Sequence, residues 1–158
     1  MSMNDMSVYD VDELMTQTRK LAAKYYHATK QILPVSGELA KYDAVRLLNL
    51  TEVTEPQTGV DAIDQNNTQI LIKSRVIFDE SKSGQRIGQL KTDGHWQAVV
   101  LVLFDKDYQP LSIYRTSRQE IESTIDRAQA SKRSNRGIMS VARFKSISQL
   151  VWPTSDGS

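Results

Sequence analysis

The sequence predicts an α/β domain with its elements in the order ααββββαβ, and three observations carry that reading. Apolar residues recur at helical spacing from Val11 to Tyr25 and again from Leu39 to Leu48. β-Branched residues instead crowd QILIKSRVIF, from Gln69 to Phe78, as a strand requires. The run Gln97-Ala-Val-Val-Leu-Val-Leu-Phe104 is almost continuously apolar, which suits a central strand covered on both faces.

The first helix opens on Asp10, an acidic N-cap with Glu13 three residues later, and Val11, Leu14, Met15, Thr18, Leu21, Ala22 and Tyr25 follow on helical spacing to about Gln31. Pro34 forbids a smooth continuation. Ser36 then offers a fresh N-cap for GELAKYDAVRLLNL, whose Leu39, Ala40, Leu47 and Leu48 are available to a core. TEVTEPQTGVDAID is rich in Thr and Val, breaks at Pro56, and passes through the polar turn Gln65-Asn66-Asn67 into the next strand. Asp105 to Tyr108 turns the apolar run into a partner strand, Leu111 to Arg115. Ser117 with Glu120 repeats the capping signature and opens a helix to about Ala130. SKRSNRG and a last segment, MSVARFKSISQLVW, close the chain with a strand and a short terminal helix.

At 158 residues the chain has the size of one domain, and 39% hydrophobic with 25% charged residues is the balance of a globular protein. One domain over 1–158 is expected, with disorder confined to 1–9 and 154–158. The absence of cysteine excludes disulfides and thiolate metal sites, leaving oxygen or imidazole ligands. The polar, acidic start is unlike a signal peptide, and no stretch approaches the roughly 18 apolar residues of a membrane span, so a cytoplasmic protein is expected. The net charge of +1 gives no global pull toward nucleic acid, but charge is unevenly spread. Eight Lys or Arg face three Asp or Glu between Arg115 and Lys145, a local balance of +5.

If residues 65–67 form the turn, Asp64 pairs with Thr68, and equal steps outward set Asp61 opposite Leu71 and diagonal to Lys73. Alternation then places Asp61, Gln69, Leu71 and Lys73 on one face, and Asp64 on the other. An Asp and a Lys a few ångströms apart at the end of a sheet can hydrolyse a phosphodiester. The carboxylate holds Mg²⁺ through oxygen, and the ammonium orients water or offsets charge on the phosphate. The same two residues also make an ordinary surface ion pair worth under about 1 kcal/mol. His27 and His95 have no metal-spaced partner, and no nucleophile elbow or phosphate-binding glycine loop occurs, so no nucleotide cofactor is expected.

Gly59-Val-Asp61-Ala-Ile followed by Ile72-Lys73-Ser-Arg75, behind a helix carrying Gly37-Glu38, resembles the restriction-endonuclease-like superfamily, marked by an Asp and then an acid-X-Lys on adjacent strands. The resemblance spans roughly Ser36 to Tyr114. It implies a central mixed sheet flanked by helices in an α-β-β-β-α-β core and a Mg²⁺-dependent endonuclease acting on DNA. Glu38 would be the helix acid, Asp61 the metal ligand and Lys73 the catalytic lysine. Glu38 and Asp61 would then hold the metal. Leu71 stands where the second acid belongs, and a leucine gives no lone pair, so Mg²⁺ affinity should be weak and the site degenerate. Glu38 also has a simpler use, favouring the positive end of its helix dipole.

Arg75, Arg115, Arg118, Lys132, Arg133 and Arg136 are the candidate nucleic-acid contacts. Those in SKRSNR combine cations with Ser and Asn donors and no acid, a composition suited to phosphate oxygens. A different class of function fits the same fold: a non-enzymatic protein-binding scaffold such as an immunity, antitoxin or phage-defence subunit. A homodimer is a further expectation for a nuclease that cuts both strands; the apolar face of the first helix is one surface for it, although burying that face against its own sheet is the simpler expectation.

Overall fold

The computed structural model describes residues 10–55, 59–79, 85–90, 93–130 and 139–154, with 127–130 described by backbone alone. Its elements run α1 (Val11–Thr29), α2 (Ser36–Leu47), β1 (Thr51–Glu52), β2 (Ala62–Ile63), β3 (Gln69–Val76), β4 (Ala98–Phe104), β5 (Pro110–Ser117), α3 (Arg118–Ala130), α4 (Val141–Ser146) and β6 (Gln149–Trp152). The six strands form one mixed sheet in sequence order, β3 and β4 parallel and every other neighbouring pair antiparallel. The α/β expectation holds at this level. The short helix precedes the last strand rather than ending the chain. The tails 1–9 and 155–158 lie outside the described residues.

Local chemistry sets the helix ends. Asp10 caps α1 by accepting the Asp12 N–H at 2.9 Å, and Lys30 closes it in the left-handed conformation. The cap of α2 is Val35 rather than Ser36. Ser36 is the first helical residue, and its hydroxyl meets that of Ser74 on β3 at 3.3 Å instead of capping. Ser117 accepts the Glu120 N–H at the head of α3, as its spacing predicts.

Strand alternation divides the core in two. Ile70, Ala98, Val100, Val102 and Phe104 meet α1 and α2 through Ala22, Ala23, Leu39, Ala40 and Ala44. Val99, Leu101 and Leu103 point the other way, against Ile121 and Ile125 of α3, Val141 and Phe144 of α4, and Ile87, Leu90 and Trp96. All seven residues of β4 are buried, which explains why its sequence shows no alternation. Each large apolar side chain so buried contributes about 1.5–3 kcal/mol.

Polar links tie these layers together. Arg19 of α1 reaches Asp43 of α2 in a two-pronged ion pair at 2.8 and 2.9 Å, and donates to the Tyr108 carbonyl in the β4–β5 turn. Asp43 is fully buried and takes a second cation, Arg46, at 3.3 Å. No described helix is long and apolar enough to cross a membrane.

Candidate functional site

The β2–β3 hairpin forms because Asp64 organises its own turn. One carboxylate oxygen accepts the N–H groups of Asn66 at 2.8 Å and Thr68 at 2.9 Å, while Asn67 takes the left-handed conformation at φ 61°. The pairing that follows sets Ile63 opposite Gln69 and Ala62 opposite Ile70, the register the sequence predicts. Ala62 and Ile70 belong to the face covered by α1 and α2, so Asp61, Leu71 and Lys73 fall on the α3 side together.

Within that shared face each of the three has a definite environment. Asp61 donates its N–H to the Ile70 carbonyl at 2.8 Å, and its carbonyl accepts from Val53 at 3.1 Å. Its carboxylate Oδ2 accepts the Ile72 N–H at 2.8 Å. Ile72 N–H points to the β2 side of β3 at a position beyond the end of β2, so the carboxylate supplies the acceptor that a longer strand would have supplied. Leu71 packs, half-buried, against the core cluster of Trp96, Val99 and Leu101. The Lys73 ammonium runs beside residues 85–90: a Cβ added at Gly88 would sit 3.3 Å from its Nζ.

Trp96 also closes on the start of the motif. Gly59 has φ +73°, and a Cβ there would stand 2.9 Å from Trp96 Cδ1 and 3.3 Å from the Gly94 backbone. Only glycine fits that left-handed, crowded position. The ground two residues from Asp61 is therefore occupied by an indole.

Glu38 is not brought to this face. It is exposed on α2, the helix that buries Leu39, Ala40, Asp43 and Ala44 against the opposite side of the sheet. Its neighbour Leu39 points inward, so helical rotation turns Glu38 outward. No group of three or more His, Cys, Asp or Glu side chains able to hold a metal ion occurs among the described residues. His27 contacts Asp107 at 3.3 Å across exposed surface, and His95 is exposed.

Three of the candidate nucleic-acid contacts are engaged within the fold. Arg115 donates to Asp64 Oδ2 at 2.9 Å on the α1–α2 face, tying β5 to the turn of the first hairpin. Burial pushes the Asp64 carboxyl up, but the Thr68 N–H, the Arg115 guanidinium and the Asn66 N–H outweigh it and hold it below the ordinary carboxylate value. Arg118 donates to the carbonyls of Gly94 at 2.7 Å and Trp96 at 2.8 Å and to Glu122 at 2.8 Å. Its guanidinium lies 4.4 Å from the Trp96 ring centroid. Arg75 donates to the Arg86 carbonyl. Lys132, Arg133 and Arg136 lie outside the described residues.

Gly59, Asp64 and Trp96 shape this region in ways that the motif does not specify. The Asx turn at Asp64 has a readable signal in Asp-Gln-Asn-Asn. Its pairing with Arg115, 51 residues away, has none. Comparison with models of known protein families finds no match to the chain, and comparison with curated proteins finds none either.

Proposed function

We propose that the chain is a non-hydrolytic interaction protein built on a restriction-endonuclease-like α/β scaffold, with Asp61 and Lys73 kept as structural residues of a degenerate site. The observation that carries this reading is the Asp61 carboxylate accepting the Ile72 N–H beside a core-packed Leu71. A ligand carboxylate must turn its lone pairs to the metal, and here one oxygen completes a backbone ladder. The second ligand position is aliphatic and faces apolar neighbours. The order of α2, the hairpin, the strands after it, α3 and a final strand supports the scaffold assignment. The inward bonding of Arg115 and Arg118 favours a protein partner over DNA, as in an immunity, antitoxin or phage-defence subunit.

A second reading keeps a weak Mg²⁺-dependent phosphodiesterase acting on DNA, with Asp61 as metal ligand and Lys73 positioning the nucleophile. It is favoured by the shared face of Asp61 and Lys73 in the register described. A supercoiled-plasmid assay with Mg²⁺ and with Mn²⁺ separates the two. The wild type and Asp61→Ala are expected to leave plasmid intact, whereas cutting by the wild type that Asp61→Ala abolishes would establish the nuclease. Nicking gained by Leu71→Glu would support descent from an active site of this family.

A further inference from the structure

The α1 helix carries two apolar stripes, and the described residues cover only one. Met15, Arg19, Ala22 and Ala23 turn toward α2 and the sheet. About a third of a turn away, Val11, Leu14, Thr18, Leu21, Tyr25 and Ala28 repeat at intervals of three and four, the a/d spacing of a helix that packs on another helix. Val11 is 60%, Leu14 39% and Leu21 59% exposed, and Ala28 is exposed as well. An ordinary amphipathic surface helix keeps its second face polar.

Charge along the helix identifies what covers the stripe. The first turns carry Asp10, Asp12 and Glu13, and the later ones Lys20, Lys24 and His27, all exposed. A parallel partner of the same sequence would set acid against acid and base against base. An antiparallel copy about a two-fold axis sets each half against its opposite. In that register Val11 faces Ala28, Leu14 faces Tyr25 and Thr18 faces Leu21 of the second copy, and Glu13 comes beside its Lys24. The surface is self-complementary in the spacing of its apolar residues and in sign, which is what a two-fold interface requires.

We infer that α1 is a homodimerisation helix that pairs antiparallel with α1 of a second copy of this chain. The inference is independent of the function proposed above. Nineteen residues span about 28 Å. Two such helices bury on the order of 1,000 Å² in total, near the lower limit for specific association and in the size class of transient pairs.

Sedimentation velocity of the full chain from about 1 to 500 µM is expected to show a monomer–dimer equilibrium. Leu21→Glu, a substitution at an exposed helical position, should weaken it at least tenfold. Glu13→Lys brings a second ammonium beside Lys24 of the other copy, twice per dimer, and should weaken it several-fold. Adding Lys24→Glu to that variant should restore the wild-type constant to within about twofold. Because the chain has no cysteine, mixing Leu14→Cys with Tyr25→Cys protein under mild oxidation should give the mixed crosslink in excess of either self-crosslink. A monomer at every concentration, a dimer indifferent to Leu21→Glu, or preferential self-crosslinking of Leu14→Cys would overturn the assignment.

Discussion

At the scale of single residues, Asp61 shows how one carboxylate can satisfy a motif and serve the backbone at once. One of its two oxygens, Oδ2, is the acceptor for Ile72 N–H, and backbone support and metal ligation respond differently to substitution. Asparagine keeps an acceptor oxygen of the same reach, so Asp61→Asn should cost less than about 1 kcal/mol in urea unfolding. Asp61→Ala leaves a half-buried N–H unsatisfied and should cost about 1–3 kcal/mol. Equal losses in the two variants would remove the structural role. Tyr108 offers the opposite case. Its ring is buried among Phe78 and Phe104, and its hydroxyl has no hydrogen-bond partner among the described residues. Burial raises its ionisation above the ordinary tyrosine value, so the hydroxyl is neutral, yet it still has lost its bonds to water. Tyr108→Phe should therefore be neutral or stabilising by up to about 1 kcal/mol, and a melting temperature lowered by several degrees would show that the hydroxyl has a partner after all.

Between elements, charged pairs carry connections that apolar packing leaves open. The Arg19–Asp43 pair joins α1 to α2 in a setting where Asp43 has no exposure, and a buried pair is costly to break by halves. Asp43→Ala strands the buried Arg19 guanidinium beside a vacated carboxylate and should cost about 3–5 kcal/mol. The double variant Arg19→Met with Asp43→Leu should recover much of that loss, because well-packed apolar replacements avoid the desolvation cost; a double variant as unstable as the single would point to a shape requirement instead. The Asp64–Arg115 pair makes a second such link, from the first hairpin to β5, and it titrates. A carboxyl held below its ordinary value binds protons less readily folded than unfolded. Its contribution is therefore complete above the unfolded value near about 3.9 and is lost as pH falls through the lower folded value. The stability gap between wild type and Asp64→Asn should be constant above about pH 5 and close progressively below about pH 4. A gap that widens toward acid would contradict the pairing.

Across the whole molecule, what can be read from the sequence is what short-range chemistry decides. Caps at Asp10 and Ser117, the Asx turn at Asp64 and the hairpin register depend on neighbours within a few residues, the two-sided burial of β4 is written in its own unbroken apolar run, and the structure shows each of them. Motif order alone places Glu38 with Asp61, but which side of the sheet α2 covers depends on the packing of Leu39, Ala40 and Ala44, which no local pattern specifies. The arginines show the same limit: a guanidinium looks available in the sequence until the fold brings a carboxylate or carbonyl from 11 to 51 residues away. That distinction is measurable. Arg118 spans two backbone carbonyls and the Trp96 ring, so Arg118→Ala should lower stability by about 2 kcal/mol. A phosphate-binding arginine would instead leave stability nearly unchanged and, when removed, reduce the slope of log affinity against log salt by about 0.9. Fluorescence anisotropy with duplex DNA from about 50 to 200 mM salt, run beside urea unfolding of the same variants, reads both quantities. Arg115→Ala and Arg118→Ala are expected to lose stability and to leave the salt slope of any DNA binding as it is in the wild type; a flattened slope at full stability would return these side chains to a nucleic-acid surface.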